Sequence, residues 1–207
     1  VGGAQDRRLH PGGGVVMGYT TDFEGTFKLG KPLLPQHATY LARFSGTRRM
    51  MRDAAKTAKR ADPEREAAGL PVGPNGAYFV GEGGFAGQGD FSSRPDDVTN
   101  YNDPPPGQPS LWCQWVPSLG SGNAARLASP EERCEEGVVY DHIAWDGGEK
   151  FYDYVAWLEY LIAHFLKPWG YVLNGEVTWQ GEESADIGKI IVTNNQVSTK
   201  AGTIQWE

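Results

Sequence analysis

Cysteine is scarce in this chain: Cys113 and Cys134 are the only two among 207 residues, and they form no CxxC or Cys/His ligand spacing. That argues against a dense disulfide framework and against a structural zinc site, and it favours a reduced, cytoplasmic setting. Long apolar runs are missing too, and the start lacks the charged-then-apolar layout of a signal peptide, so neither a membrane span nor a secretory leader is expected. Basic charge is in deficit. Nineteen Lys and Arg against 26 Asp and Glu leave a formal charge of −7, which disfavours broad binding to nucleic-acid phosphates or an anionic membrane, since both draw on clustered cations. Histidine is limited to His10, His37, His142 and His164, and the chain has no G-x-S-x-G, no H-E-x-x-H and no Cys/His nucleophile pattern. No cofactor and no metal are expected.

What the chain does have is apolar and aromatic substance: 39% of residues are hydrophobic and 12% aromatic, enough to bury the core of one domain. Residues 1–16 are glycine-rich without periodicity and read as a leader or N-terminal extension. Residues 17–207 read as a single α+β domain with loop insertions at 81–110 and 118–137. Strand alternation runs over residues 23–29, where Phe23, Gly25, Phe27 and Leu29 oppose Glu24, Thr26 and Lys28. Helical periodicity follows over 36–59, with Tyr40, Leu41, Phe44 and Met51 on one face. Short strands are expected at 77–80 and 111–117, an added strand at 138–145, a helix at 149–166, a strand at 171–179 and a closing hairpin through 187–192 and Val197. Strand, helix, strand, strand, helix, strand is the order of a ferredoxin-like antiparallel sheet with two helices on one face, here with extra C-terminal strands and long inserted loops.

Two motif-like strings fail on context. Residues 25–31 read G-x-x-x-x-G-K, but Pro32 stands where a phosphate-binding loop needs Ser or Thr, and the first Gly lies inside a strand. Residues 81–86 read G-x-G-x-x-A, but no helix follows to receive a pyrophosphate.

Two surfaces carry the candidate site residues. On the helix at 149–166, Phe151, Tyr154, Val155, Leu158, Leu161, Ile162 and Phe165 make a core stripe, while Asp153, Trp157, Tyr160 and His164 line up on the opposite side. A second aromatic stripe needs a cover, either another part of this chain or a partner. The other surface is the sheet face away from the helices, expected to collect Glu24, Lys28, Trp112, Gln114 and Glu176; there Glu24 and Glu176 could share a proton as an acid and base pair. Arg48 falls within the apolar arc of the first helix and needs a carboxylate or several carbonyls if it is buried.

The strings at 23–27 (FEGTF), 47–50 (TRRM), 108–115 (QPSLWCQW), 148–152 (GEKFY) and 173–177 (LNGEV) resemble, as a set over about residues 18–198, a family of uncharacterised small proteins of tailed bacteriophages and their bacterial hosts. The family has no assigned reaction; the resemblance implies a phage connection and with it a host-directed binding role. The leading expectation is therefore a non-enzymatic cytoplasmic interaction protein that meets a protein partner, or a second copy of itself, through an aromatic surface. The alternatives are a single-stranded nucleic-acid binder on the open sheet face and an enzyme with a carboxylate pair in a cleft under the Gly-rich loop.

Overall fold

A computed structural model describes residues 19–81, 83, 95–120, 126–129 and 132–203. The expected leader at 1–16, most of the string at 81–86 and parts of the two expected insertions lie outside the described residues. Among the described residues, nine strands and four α-helices follow the chain in the order β1 (Thr21–Leu29), α1 (Pro35–Ser45), β2 (Met51–Arg52), α2 (Ala54–Thr57), α3 (Pro63–Ala67), β3 (Val98–Asn100), β4 (Trp115–Leu119), β5 (Arg126–Leu127), β6 (His142–Trp145), α4 (Tyr154–Leu161), β7 (Leu173–Gly181), β8 (Ile187–Thr193) and β9 (Gln196–Ala201). Seven strands form an antiparallel sheet ordered β5-β4-β6-β1-β7-β8-β9, and β2 pairs with β3 in a separate two-stranded ribbon. The chain is a mixed α+β fold, and among the described residues no helix is long and apolar enough to cross a membrane.

The sheet is sided by the alternation read from β1. Phe27 and Leu29 of β1, Leu173 and Val177 of β7, Ile190 and Val192 of β8, Ile143 of β6 and Trp115 of β4 share one core with α1 and α4. Register fixes this: Phe27 faces Ile143 on one side and Gly175 on the other, and Val177 faces both Gly25 and Ile190. The two helices touch through Phe44, whose ring meets Trp157 at 6.0 Å and Phe165 at 5.1 Å, both edge-on. On the other side of the sheet Glu24, Lys28 and Glu176 are exposed, whereas toward β4 that side is buried as well, at Val116, Ser118 and Ala144.

Four expectations about elements need correcting. The helical periodicity at 36–59 is not one helix: α1 stops at Ser45, the Gly46 N–H closes it on Ala42 O, and α2 begins afresh behind Asp53, whose carboxylate accepts the Ala55 and Lys56 N–H groups. Residues 77–80 are not a strand; they follow the 3₁₀ turn Pro74–Gly76, and the carbonyls of Ala77 and Phe79 accept from the Arg49 guanidinium instead of a neighbouring strand. The strand expected as an addition at 138–145 is present but shorter, as β6, and it lies inside the sheet between β1 and β4. The helix expected at 149–166 starts later, at Tyr154, and its last turn Ile162–Leu166 widens into a π-helix.

Candidate functional site

The second stripe on α4 is covered by this chain. Trp157 is completely buried, its indole N–H donating to Ser110 Oγ at 2.8 Å. Tyr160 is buried, and its hydroxyl accepts from Gln108 Nε2 at 3.0 Å. His164 reaches the surface, stacked on Tyr160 at 4.1 Å with its Nδ1 3.0 Å from the Tyr78 hydroxyl. Phe44, the Gln108 and Ser110 side chains and Tyr78 thus meet the stripe that the sequence left open. Trp157 and Tyr160 are therefore core residues and present no surface to a partner. Burial pushes the Tyr160 hydroxyl up to about 12 and lowers the His164 imidazole, which keeps both neutral near pH 7.

Arg48 is not the buried arginine. It is half-buried, with Nε donating to Tyr101 O at 3.1 Å; its neighbour Arg49 is 1% exposed. The helix has ended before either residue, so the angular position assigned to Arg48 has no meaning. Arg49 donates from Nη2 to Ala77 O (2.9 Å) and Phe79 O (3.0 Å) and from Nε to Gln108 Oε1 (3.2 Å), with its guanidinium carbon 4.2 Å over the Phe44 ring. Burial lowers its pKa to about 10, so it stays cationic at neutral pH. Gln108 thereby ties the arginine to Tyr160 and to the segment that covers α4. A second buried centre is Asp97, bridged to Arg52 (2.8 Å) and Arg60 (2.9 Å) and accepting from Thr57 Oγ1 (3.0 Å). Burial by itself would raise the Asp97 carboxyl, but the hydrogen bonds and charges of Arg52, Thr57 and Arg60 outweigh it and hold it below the usual carboxylate range. Both centres brace the segments around α2 and Phe79.

The open sheet face holds part of the expected set. Glu24 lies opposite Thr178, Thr26 opposite Glu176 and Lys28 opposite Asn174. Glu176 accepts from Lys189 at 3.1 Å and makes no hydrogen bond with Glu24, so no carboxylate pair shares a proton here. Trp112 and Gln114 are elsewhere, because regular pairing begins only at Trp115. Gln114 is clamped between the end of β6 and the loop after it, donating to Glu149 O (3.0 Å) and accepting from Trp145 Nε1 (3.0 Å).

That clamp forms one wall of a groove of about 500 Å³ lined by Asn102, Pro104, Ser110, Leu111, Trp112, Gln114, Glu149, Lys150 and Tyr152. Tyr152 is 51% exposed, one of few large apolar side chains left so open among the described residues. It stands between two non-glycine residues held in the left-handed region, Lys150 (φ 62°) and Asp153 (φ 56°). Such backbone costs about 1 kcal/mol or more per residue and persists where surrounding contacts impose it. Leu111, Trp112, Pro104 and Tyr152 supply apolar area, while Asn102, Ser110, Glu149 and Lys150 supply polar groups. The groove is suited to desolvating an apolar side chain and hydrogen-bonding around it. No cluster of three His, Cys, Asp or Glu able to hold a metal ion occurs among the described residues. Alternation alone put Trp112 and Gln114 on the sheet. Tyr152 carries no signal in the sequence, where helical spacing continues through it.

Comparison with known proteins finds no matching family model, no matching curated protein and no matching solved structure.

Proposed function

We propose that this protein is a non-enzymatic interaction protein that takes a protein partner in the groove between Trp112 and Tyr152. One observation carries the reading. The aromatic stripe of α4 is closed by the chain itself, whereas Tyr152 stays half-exposed on a strained turn at the mouth of an apolar groove. Aromatic anchors inside a polar rim are the residues from which binding hot spots are built. The acidic overall charge supports a protein partner over nucleic acid. The resemblance to the phage family makes a bacterial host protein the partner we favour, and the cytoplasm the compartment. For the fold, we read β1-α1-β4-β6-α4-β7 as a ferredoxin-like core. The supporting observation is the spatial order β4-β6-β1-β7, which puts the first and third strands of that set in the centre, with β8 and β9 added at one side and β5 at the other.

The experiment is affinity capture from host lysate with wild-type protein, Tyr152→Ala and the sheet-face control Thr26→Ala. A partner retained by wild type and control and lost from Tyr152→Ala supports the reading. Identical capture by all three refutes it.

A further inference from the structure

The sheet ends on β9, and among the described residues no strand pairs with its outer edge. β8 and β9 are joined by Asn194 and Asn195, both left-handed (φ 49° and 66°), a two-residue turn that makes Thr193 and Gln196 a mutually hydrogen-bonded pair. Alternation then turns the backbone of Gln196, Ser198 and Lys200 toward β8, and the Gly202 N–H donating to Ile187 O at 2.7 Å continues the same phase. The N–H and C=O groups of Val197, Thr199 and Ala201 therefore point away from the sheet, and among the described residues no strand pairs with them. β9 carries no proline, and its only charged residue is Lys200, so it lacks most of the devices that blunt an edge.

Charge and shape define what would fit. Lys200 lies directly opposite Lys189, a like-charged cross-strand pair. Lys189 is offset by Glu176 at 3.1 Å, whereas Lys200 has no ion-pair partner among the described residues. On the helix-facing side, a groove of about 340 Å³ lies between the turn end of β9, including Val197, and Ile162, Ala163, Glu159 and Lys167. We propose that β9 accepts an extended peptide of a partner protein as an added strand, with an acidic side chain facing Lys200 and apolar side chains on the helix-facing side next to Val197. Strand addition supplies backbone hydrogen bonds and leaves specificity to alternate side chains. This surface is separate from the Trp112 groove.

The test is fluorescence anisotropy of a labelled, capped peptide alternating valine and glutamate, titrated with the full chain. Wild type is expected to bind saturably and more weakly as salt rises. Lys200→Glu is expected to weaken binding about tenfold and to bind the matching valine–lysine peptide instead. Thr199→Pro, which removes an outward N–H, is expected to abolish both, and Tyr152→Ala to change neither. No saturable binding by wild type, or binding indifferent to Lys200→Glu, overturns the proposal. So does a dimer in sedimentation velocity that Thr199→Pro dissociates, because the edge would then belong to a second copy of this chain.

Discussion

Cys113 shows what enclosure does to a single titratable group. Its thiol is completely buried and burial pushes its pKa up from 9.0 to about 12. Between those values the unfolded chain releases a proton that the folded chain keeps. The stability the buried thiol contributes is therefore fully present below pH 9 and is lost as pH rises toward 12, by at most about 1.4 kcal/mol per pH unit. Tyr160, raised from 10.0 to about 12, adds the same trend from a higher pH. Melting temperature measured against pH is expected to fall less steeply above pH 9 in Cys113→Ala than in wild type, whatever the baseline cost of the cavity; parallel slopes would contradict the enclosure of the thiol. The buried arginines of the Thr47–Arg52 stretch were not legible from sequence: the choice of Arg48 rested on a helical angle that ceases at Gly46, and it is Arg49 and Arg52 that are buried.

At the scale of elements, the two central strands pinch together at glycines. Gly25 of β1 (φ 108°) and Gly175 of β7 (φ 138°) each approach the facing strand so closely that a methyl group would stand 2.8 Å from Glu176 O and 2.9 Å from Thr26 O. Gly25→Ala is expected to destabilise by about 2 to 3 kcal/mol through positive φ and overlap together, which chemical denaturation measures; a loss under about 0.5 kcal/mol would mean the strands separate without cost. A second element-scale dependence runs through Asp97, which joins the β2–β3 ribbon to α2 through Arg52, Arg60 and Thr57. Asp97→Asn removes a buried carboxylate that both arginines face and is expected to cost about 3 to 5 kcal/mol. Because the folded carboxyl titrates below its unfolded value, its stabilisation is present above the unfolded pKa and is lost as pH falls through the folded one. The difference between wild type and variant should therefore shrink in acid, and a pH-independent difference would contradict the assignment. Strand alternation made β1, β7 and β8 readable. Residues 77–80 misled because a short apolar run does not distinguish a strand from a buried turn. The start of α4 was misplaced because Phe151 keeps helical spacing while Lys150 and Asp153 adopt left-handed backbone.

For the whole molecule, the type of the longer elements β1, α1, β7 and β8 followed from periodicity, but the short elements β2, β3, β5 and α3 and the placement of β6 between β1 and β4 did not, since short segments carry no period and pairing between distant segments leaves no local trace. The same limit governed the site. The open sheet face was legible as a pattern, and Glu24, Lys28 and Glu176 lie on it. The groove was not, because it forms where residues 102–114 meet residues 149–152 and depends on contacts with no sequence period. With the aromatic surface of α4 buried, the proposed partner contact rests on Tyr152. The most direct test is the dissociation constant of the captured partner, measured by isothermal titration against wild type and Tyr152→Ala. The account predicts a loss of about thirtyfold, near 2 kcal/mol, on removing an aromatic anchor, with Thr26→Ala unchanged; equal dissociation constants for wild type and Tyr152→Ala would contradict it.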